Sequence, residues 1–210
     1  MILLQIAILI FSIVAHEVAH GYIAYRRGDD TAYLMGRLTL DPLKHIDPVG
    51  SILIPAFCYM SGLPIFGWAK PVPINPTRLD KPRADMGKVA LAGPLTNFTL
   101  AVICVAAMRG YAFFYPSAEP AGGMLVALQY GVLINLMLCV FNLFPVPPLD
   151  GSKVVYSMLP YNAADKYANI FGRYGQWVVI AFIIFGGARY VLFPIVTFIY
   201  KMLILAFFWI

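Results

Sequence analysis

Charge, histidine and cysteine are all scarce in this 210-residue sequence. Charged residues make up 12% of it and hydrophobic residues 61%, with a mean hydropathy of +0.78. So little charge excludes an ordinary soluble domain, and most of the chain must lie in lipid. There are three cysteines, Cys58, Cys104 and Cys139, each alone in apolar sequence. Without C-x-x-C spacing or pairing they offer neither a disulfide framework nor a structural metal knuckle, and they read as small buried hydrophobes. The formal charge of +5 does not call for nucleic acid as a partner. In a membrane chain, basic loops report topology and contact with anionic lipid headgroups. Met1 leads into an apolar run without a basic region before it, so the opening helix is expected to be retained rather than cleaved.

Apolar stretches fall at about 2–25, 49–66, 88–109, 124–144 and 176–210. A helix needs about 20 apolar residues to cross the hydrocarbon core. The first, third and fourth stretches reach that length, whereas Pro55, Ser61, Gly62 and Pro64 interrupt the second. The last is too long for one upright span and is broken by Gly186, Gly187, Arg189, Pro194 and Lys201. The loops flanking the second stretch are both basic, with Arg26, Arg27, Arg37 and Lys44 before it and Lys70, Arg78, Lys81, Arg83 and Lys88 after it. Basic loops favour the cytoplasm, so 49–66 is expected to be re-entrant rather than spanning. Two short stretches, 36–40 and 72–74, alternate like strands, with plain loop as the alternative. The expected fold is an all-α polytopic membrane protein. It has about four to five transmembrane helices and a short re-entrant or β-like segment near the site, in one domain over 1–210 with 176–210 as its C-terminal membrane helix or helices. The expected location is the cell (inner) membrane of a prokaryote.

Against this scarcity, one pentapeptide concentrates the chemistry. The chain has three histidines and two glutamates, and His16-Glu17-Val18-Ala19-His20 holds two of the first and one of the second. Histidines four apart share one helix face and can reach one metal ion, with the intervening Glu beside them as a base. An acidic side chain inside a membrane helix costs about 2.5–3.5 kcal/mol on insertion scales, and such groups usually serve a polar cavity. A catalytic zinc has three protein ligands, so one more is needed. His45, Asp41 and Asp47 remain open, and Glu119 falls on the expected outer loop. Asp150 is favoured, because Pro145, Pro147 and Pro148 stop the fourth span and hold an extended segment that delivers it. Asp150 also caps a following helix, where the dipole keeps a carboxylate ionised. Beyond it, Tyr167, Ile170, Phe171 and Tyr174 recur at helical spacing, as in a helix lying on the membrane surface.

The H-E-x-x-H segment, Gly93-Pro94-Leu95-Thr96-Asn97, and Asn142 through Gly151 with its Pro-Pro-Leu-Asp-Gly ending resemble the site-2 protease family of intramembrane zinc metalloproteases. The likeness covers about residues 10–160 and suggests a compact form without PDZ or CBS domains. It implies one Zn(2+) per chain on His16, His20 and Asp150, with Glu17 as general base. It further implies that Asn142 and Asn97 contact the substrate backbone or the oxyanion, and that the substrate is a transmembrane protein or peptide met within the bilayer. The competing class is a metal-ion transporter or a metal-binding membrane protein without protease activity. A transporter needs a file of polar groups through the bilayer, and the third and fourth spans offer little beyond Asn97 and Asn135.

Overall fold

The computed structural model describes residues 2–61, 68–115 and 123–208. Helix α1 spans Ile2–Arg26, α2 Thr31–Leu34, α3 Ile54–Met60, α4 Pro82–Phe114, α5 Gly123–Asn142, α6 Asp150–Met158, α7 Tyr161–Ile184 and α8 Phe193–Phe208. Short helical turns at Pro42–His45, Pro48–Leu53, Pro76–Arg78 and Ala188–Leu192 join them. Among the described residues, four segments are long and apolar enough to cross a membrane: α1, α4, α5 and the run Ala188–Phe208 that includes α8.

Helix α4 is the centre of the bundle. Pro82 at its start has no N–H to leave unsatisfied, and the Asp85 carboxylate accepts from the Lys81 N–H at 2.9 Å, closing the first turn. Along its length Ala90, Ala92, Gly93 and Ala101 are buried. Small side chains let helices approach in lipid, where packing rather than water expulsion drives association. Ala101, Val105 and Met108 of α4 meet Val132, Leu136 and Val140 of α5, and Leu192 and Val196 close the same core.

The last turns of α1 lie beside the first turns of α4. Arg27 Nε stands 3.8 Å from the Asp85 carboxylate, and Ala24, Leu79 and Val89 form a second small core there. Both helix ends are therefore on one side, and the chain between them returns to the side it left. The apolar helical run Pro48–Cys58 rises roughly 16 Å, about half the hydrocarbon thickness. This agrees with a re-entrant reading of 49–66, of which residues 62–66 lie outside the described residues, as does Glu119.

Two expectations change. Among the described residues there is no strand, and 36–40 and 72–74 are irregular backbone. Pro71 and Pro73 have no N–H to give to a ladder, and side chains take the neighbouring backbone groups. Arg37 donates to the Lys70 and Pro71 carbonyls at 3.0 and 3.3 Å, His45 Nε2 lies 2.9 Å from the Thr39 carbonyl, and the Val72 N–H goes to Glu17. The surface helix expected around Tyr167–Tyr174 runs on into the apolar residues after 176 as one helix, α7. The long final stretch then breaks at Gly186, whose φ of +79° favours glycine, which leaves one span after it.

Enlarging Ala101, which is 0% exposed between α4 and α5, is expected to destabilise the bundle by about 1–3 kcal/mol through overpacking. Thermal unfolding in detergent should show Ala101→Leu melting lower, with Phe113→Leu, at a 70% exposed position, unchanged.

Candidate metal centre

Three ligand-type side chains from distant parts of the sequence meet at one buried point. His16 and His20 come from the C-terminal half of α1, and Asp150 from the first residue of α6. His20 Nε2 is 3.0 Å from His16 Nε2, and Asp150 Oδ2 is 3.2 Å from His16 Nε2 and 3.0 Å from His20 Nε2. All three residues are 6–7% exposed. Among the described residues these three form the one His/Cys/Asp/Glu group compact enough to hold a metal ion.

The outward nitrogens decide what the inward ones can do. His16 Nδ1 lies 2.5 Å from Asn97 Oδ1, and His20 Nδ1 lies 2.7 Å from the Val89 carbonyl. The atoms they meet are acceptors, so each Nδ1 carries a proton and each ring turns its Nε2 inward, where its lone pair can bind a cation. Two such lone pairs and a carboxylate oxygen cannot stand this close without positive charge between them, a proton or a metal ion. A Cβ built on Gly93 of α4 would lie 2.5 Å from both Nε2 atoms, so the missing side chain leaves a cradle where an ion shared by the two rings would sit. The donor set, two imidazole nitrogens and one carboxylate oxygen, suits zinc with a position left open.

Asp150 is delivered differently from the expectation: residues 143–149 form a run of turns and bends rather than an extended segment, with the Leu149 N–H donating to the Val146 carbonyl at 3.0 Å, and Leu149 rather than Asp150 occupies the cap position of α6. The Tyr167 hydroxyl donates to the Pro145 carbonyl at 2.7 Å, fixing the segment before α6. A Cβ on Gly151 would collide with the Leu143 and Phe144 carbonyls, so the residue after Asp150 must be small for the turn to close. Burial disfavours the charged Asp150 carboxylate, and the Lys153 amine, 3.2 Å from Oδ1, counters that cost.

Glu17 faces a cavity of about 430 Å³ that also touches both histidines, Asp150, Trp68, Asn142 and Val179. Its Oε2 accepts from the Val72 N–H at 2.9 Å, which pins one of its two oxygens. Asn142 lines this cavity, with one amide hydrogen donated back to the Leu138 carbonyl. Asn97 does not reach it. It is 0% exposed, and its amide is taken by His16, the Ser12 carbonyl and Asn135, so in this structure it backs a histidine. The other candidates lie elsewhere. Asp41 and Asp47 cap short helical turns, and His45 is buried against the Thr39 carbonyl. Sequence reading passed over the Val72 N–H, Lys153 and Ser12. Ser12 alone carried a signal, being one helical turn before His16.

Residues 110–186 match the sequence model of Peptidase family M50. A Bacillus subtilis protein named "Putative zinc metalloprotease YwhC" is 38% identical over 192 residues, covering 90% of this chain and 84% of its own length. "Putative zinc metalloprotease Rip2" of Mycobacterium tuberculosis is 33% identical over 142 residues, covering 67% of this chain and 51% of its own. "Putative zinc metalloprotease MJ0611" of Methanocaldococcus jannaschii is 44% identical over 72 residues, 34% of each chain. No solved structure matches.

The Gly93 cradle gives a direct test. Gly93→Ala, a change that favours helix, should leave the circular dichroism spectrum intact while removing bound divalent metal from the purified protein, as measured by elemental analysis.

Proposed function

The chain belongs to peptidase family M50, the site-2 protease family, and from that premise we propose that it is an intramembrane zinc metalloprotease. It hydrolyses peptide bonds of membrane-spanning substrates. The observation that carries this reading is the convergence of His16, His20 and Asp150, with Glu17 beside them, at a cavity buried among apolar helices. The protein is integral to a membrane, and the prokaryotic cell membrane is the proposed location.

His16, His20 and Asp150 hold the zinc ion. Bound there, zinc supplies Lewis acidity, which acidifies water and polarises a carbonyl. Glu17 is the general base. With Oε2 tied to the Val72 N–H, its other oxygen takes the proton of the attacking water and returns it to the leaving amine. Asn142 offers its remaining amide groups to the substrate backbone from the cavity wall. Trp68, Val72, Phe141 and Val179 line the same cavity and make it apolar enough to admit a membrane segment. Such a segment arrives as a helix with its carbonyls hydrogen-bonded internally, so it must unwind locally before Glu17 and Asn142 can engage a peptide bond.

Glu17→Gln separates hydrolysis from metal handling. The variant should keep its zinc and lose about 10²–10⁴-fold in cleavage of a model transmembrane peptide in detergent. Undiminished cleavage would remove Glu17 from the mechanism. A wild-type chain that cleaves nothing but moves zinc across proteoliposomes would replace the protease with a transporter. Asn142→Ala should retain zinc and lower kcat/KM for the same peptide.

A further inference from the structure

The two histidines are oriented by different means, and the difference exposes a residue with no assigned role. His20 Nδ1 meets a main-chain carbonyl, that of Val89, which can only accept. His16 Nδ1 meets the side chain of Asn97, and an amide can present either oxygen or nitrogen. Something else must choose which end faces the ring.

The choice is made in a buried file of side chains crossing three membrane helices. It begins at two helix carbonyls, those of Ile8 and Gly131, whose polarity is fixed. The Ser12 hydroxyl donates to the Ile8 carbonyl at 2.8 Å, so its oxygen faces α5 as an acceptor. Asn135 Nδ2 donates to Ser12 Oγ and to the Gly131 carbonyl, each at 2.9 Å. Both of its hydrogens are then spent, and Asn135 Oδ1 faces Asn97. Asn97 Nδ2 donates to that oxygen at 2.9 Å and to the Ser12 carbonyl at 3.2 Å, so Asn97 Oδ1 is the atom left for His16. Ser12, Asn97 and Asn135 are 0–2% exposed, and at that burial turning either amide would set donors against donors and acceptors against acceptors.

We propose that Asn135, seated by Ser12 and the Gly131 carbonyl, is a positioning residue that fixes the tautomer of His16 through Asn97. This rests on the zinc-protease reading for its purpose, since only the Nδ1–H tautomer presents Nε2 to the ion. Asn135 touches neither ion nor substrate. An interhelical amide that merely strengthens packing would support both histidines alike, whereas the file ends on His16 alone.

The test is nitrogen-15 NMR of the full chain, labelled at histidine, zinc-free and in detergent, at a pH where both imidazoles are neutral. In the wild type, His16 and His20 should both show the Nδ1–H tautomer. In Asn135→Leu, His16 should become a mixture of tautomers while His20 is unchanged, and zinc affinity by chelator competition should fall about 10–100-fold. Asn135→Ala, which removes the amide without adding bulk, should give the same result if the leucine variant does not fold. Asn135→Asp, which still presents an oxygen to Asn97, should restore the His16 signal. A His16 that keeps its tautomer and zinc affinity in the leucine or alanine variant overturns the inference, and so does an equal shift at His20. The tautomer is read without metal, so a wild-type chain that binds no zinc would overturn the zinc-protease reading and leave the Asn135 measurement standing.

Discussion

Two imidazole nitrogens and a carboxylate oxygen face one another 3.0–3.2 Å apart in a buried site beside a cavity. With each ring's proton committed to an outward acceptor, the three inward atoms need a cation between them. Most of the architecture follows from bringing them to one depth. Helix α1 contributes its C-terminal half, and Asp150 lies just past the end of α5. Those points coincide only if α4 and α5 form one out-and-back pair and the chain between α1 and α4 does not cross. The Arg27–Asp85 approach and the small core of Ala24, Leu79 and Val89 show that the ends of α1 and α4 are indeed neighbours.

Helix α4 serves the site by what it omits and what it offers. Gly93 omits a side chain where two Nε2 atoms converge, Val89 offers a carbonyl to His20, and Asn97 offers an amide oxygen to His16. These three positions, four apart along the helix, lie on one face and address the same two rings. The packing that holds α4 against α5 through Ala101, Val105, Val132 and Leu136 is therefore part of the metal site's construction, at one remove. On the open side, Glu17 and the Val72 main chain meet at the cavity, which joins the site to the segment between α3 and α4.

Much of this was legible in the sequence because membrane placement makes polar residues expensive. A Glu between two His in an apolar helix, and an Asp after three prolines, stand out against such a background, and the structure brings His16, His20 and Asp150 together, although turns rather than an extended segment lead to Asp150. Loop charge likewise favoured a re-entrant 49–66, and the short apolar run Pro48–Cys58 and the neighbouring ends of α1 and α4 agree with that. What could not be read were relations fixed by three-dimensional neighbours. Alternation at 36–40 and 72–74 looked strand-like, but the prolines and the Arg37 and Glu17 side chains claim the backbone that a ladder would use. Hydropathy divided α7 into a polar and an apolar half, although its backbone continues through both. Asn97 presents the same one-letter signal whether its amide meets a substrate or a histidine, and only its burial against Ser12, Asn135 and His16 decides.

The most direct test of the shared ion is X-ray absorption at the zinc edge of the purified chain. An ion held by His16, His20 and Asp150 predicts one zinc per chain, with two imidazole nitrogens and oxygen at about 2.0–2.2 Å and no sulfur. Sulfur scattering, fewer than two imidazoles, or a chain that binds no zinc would contradict it.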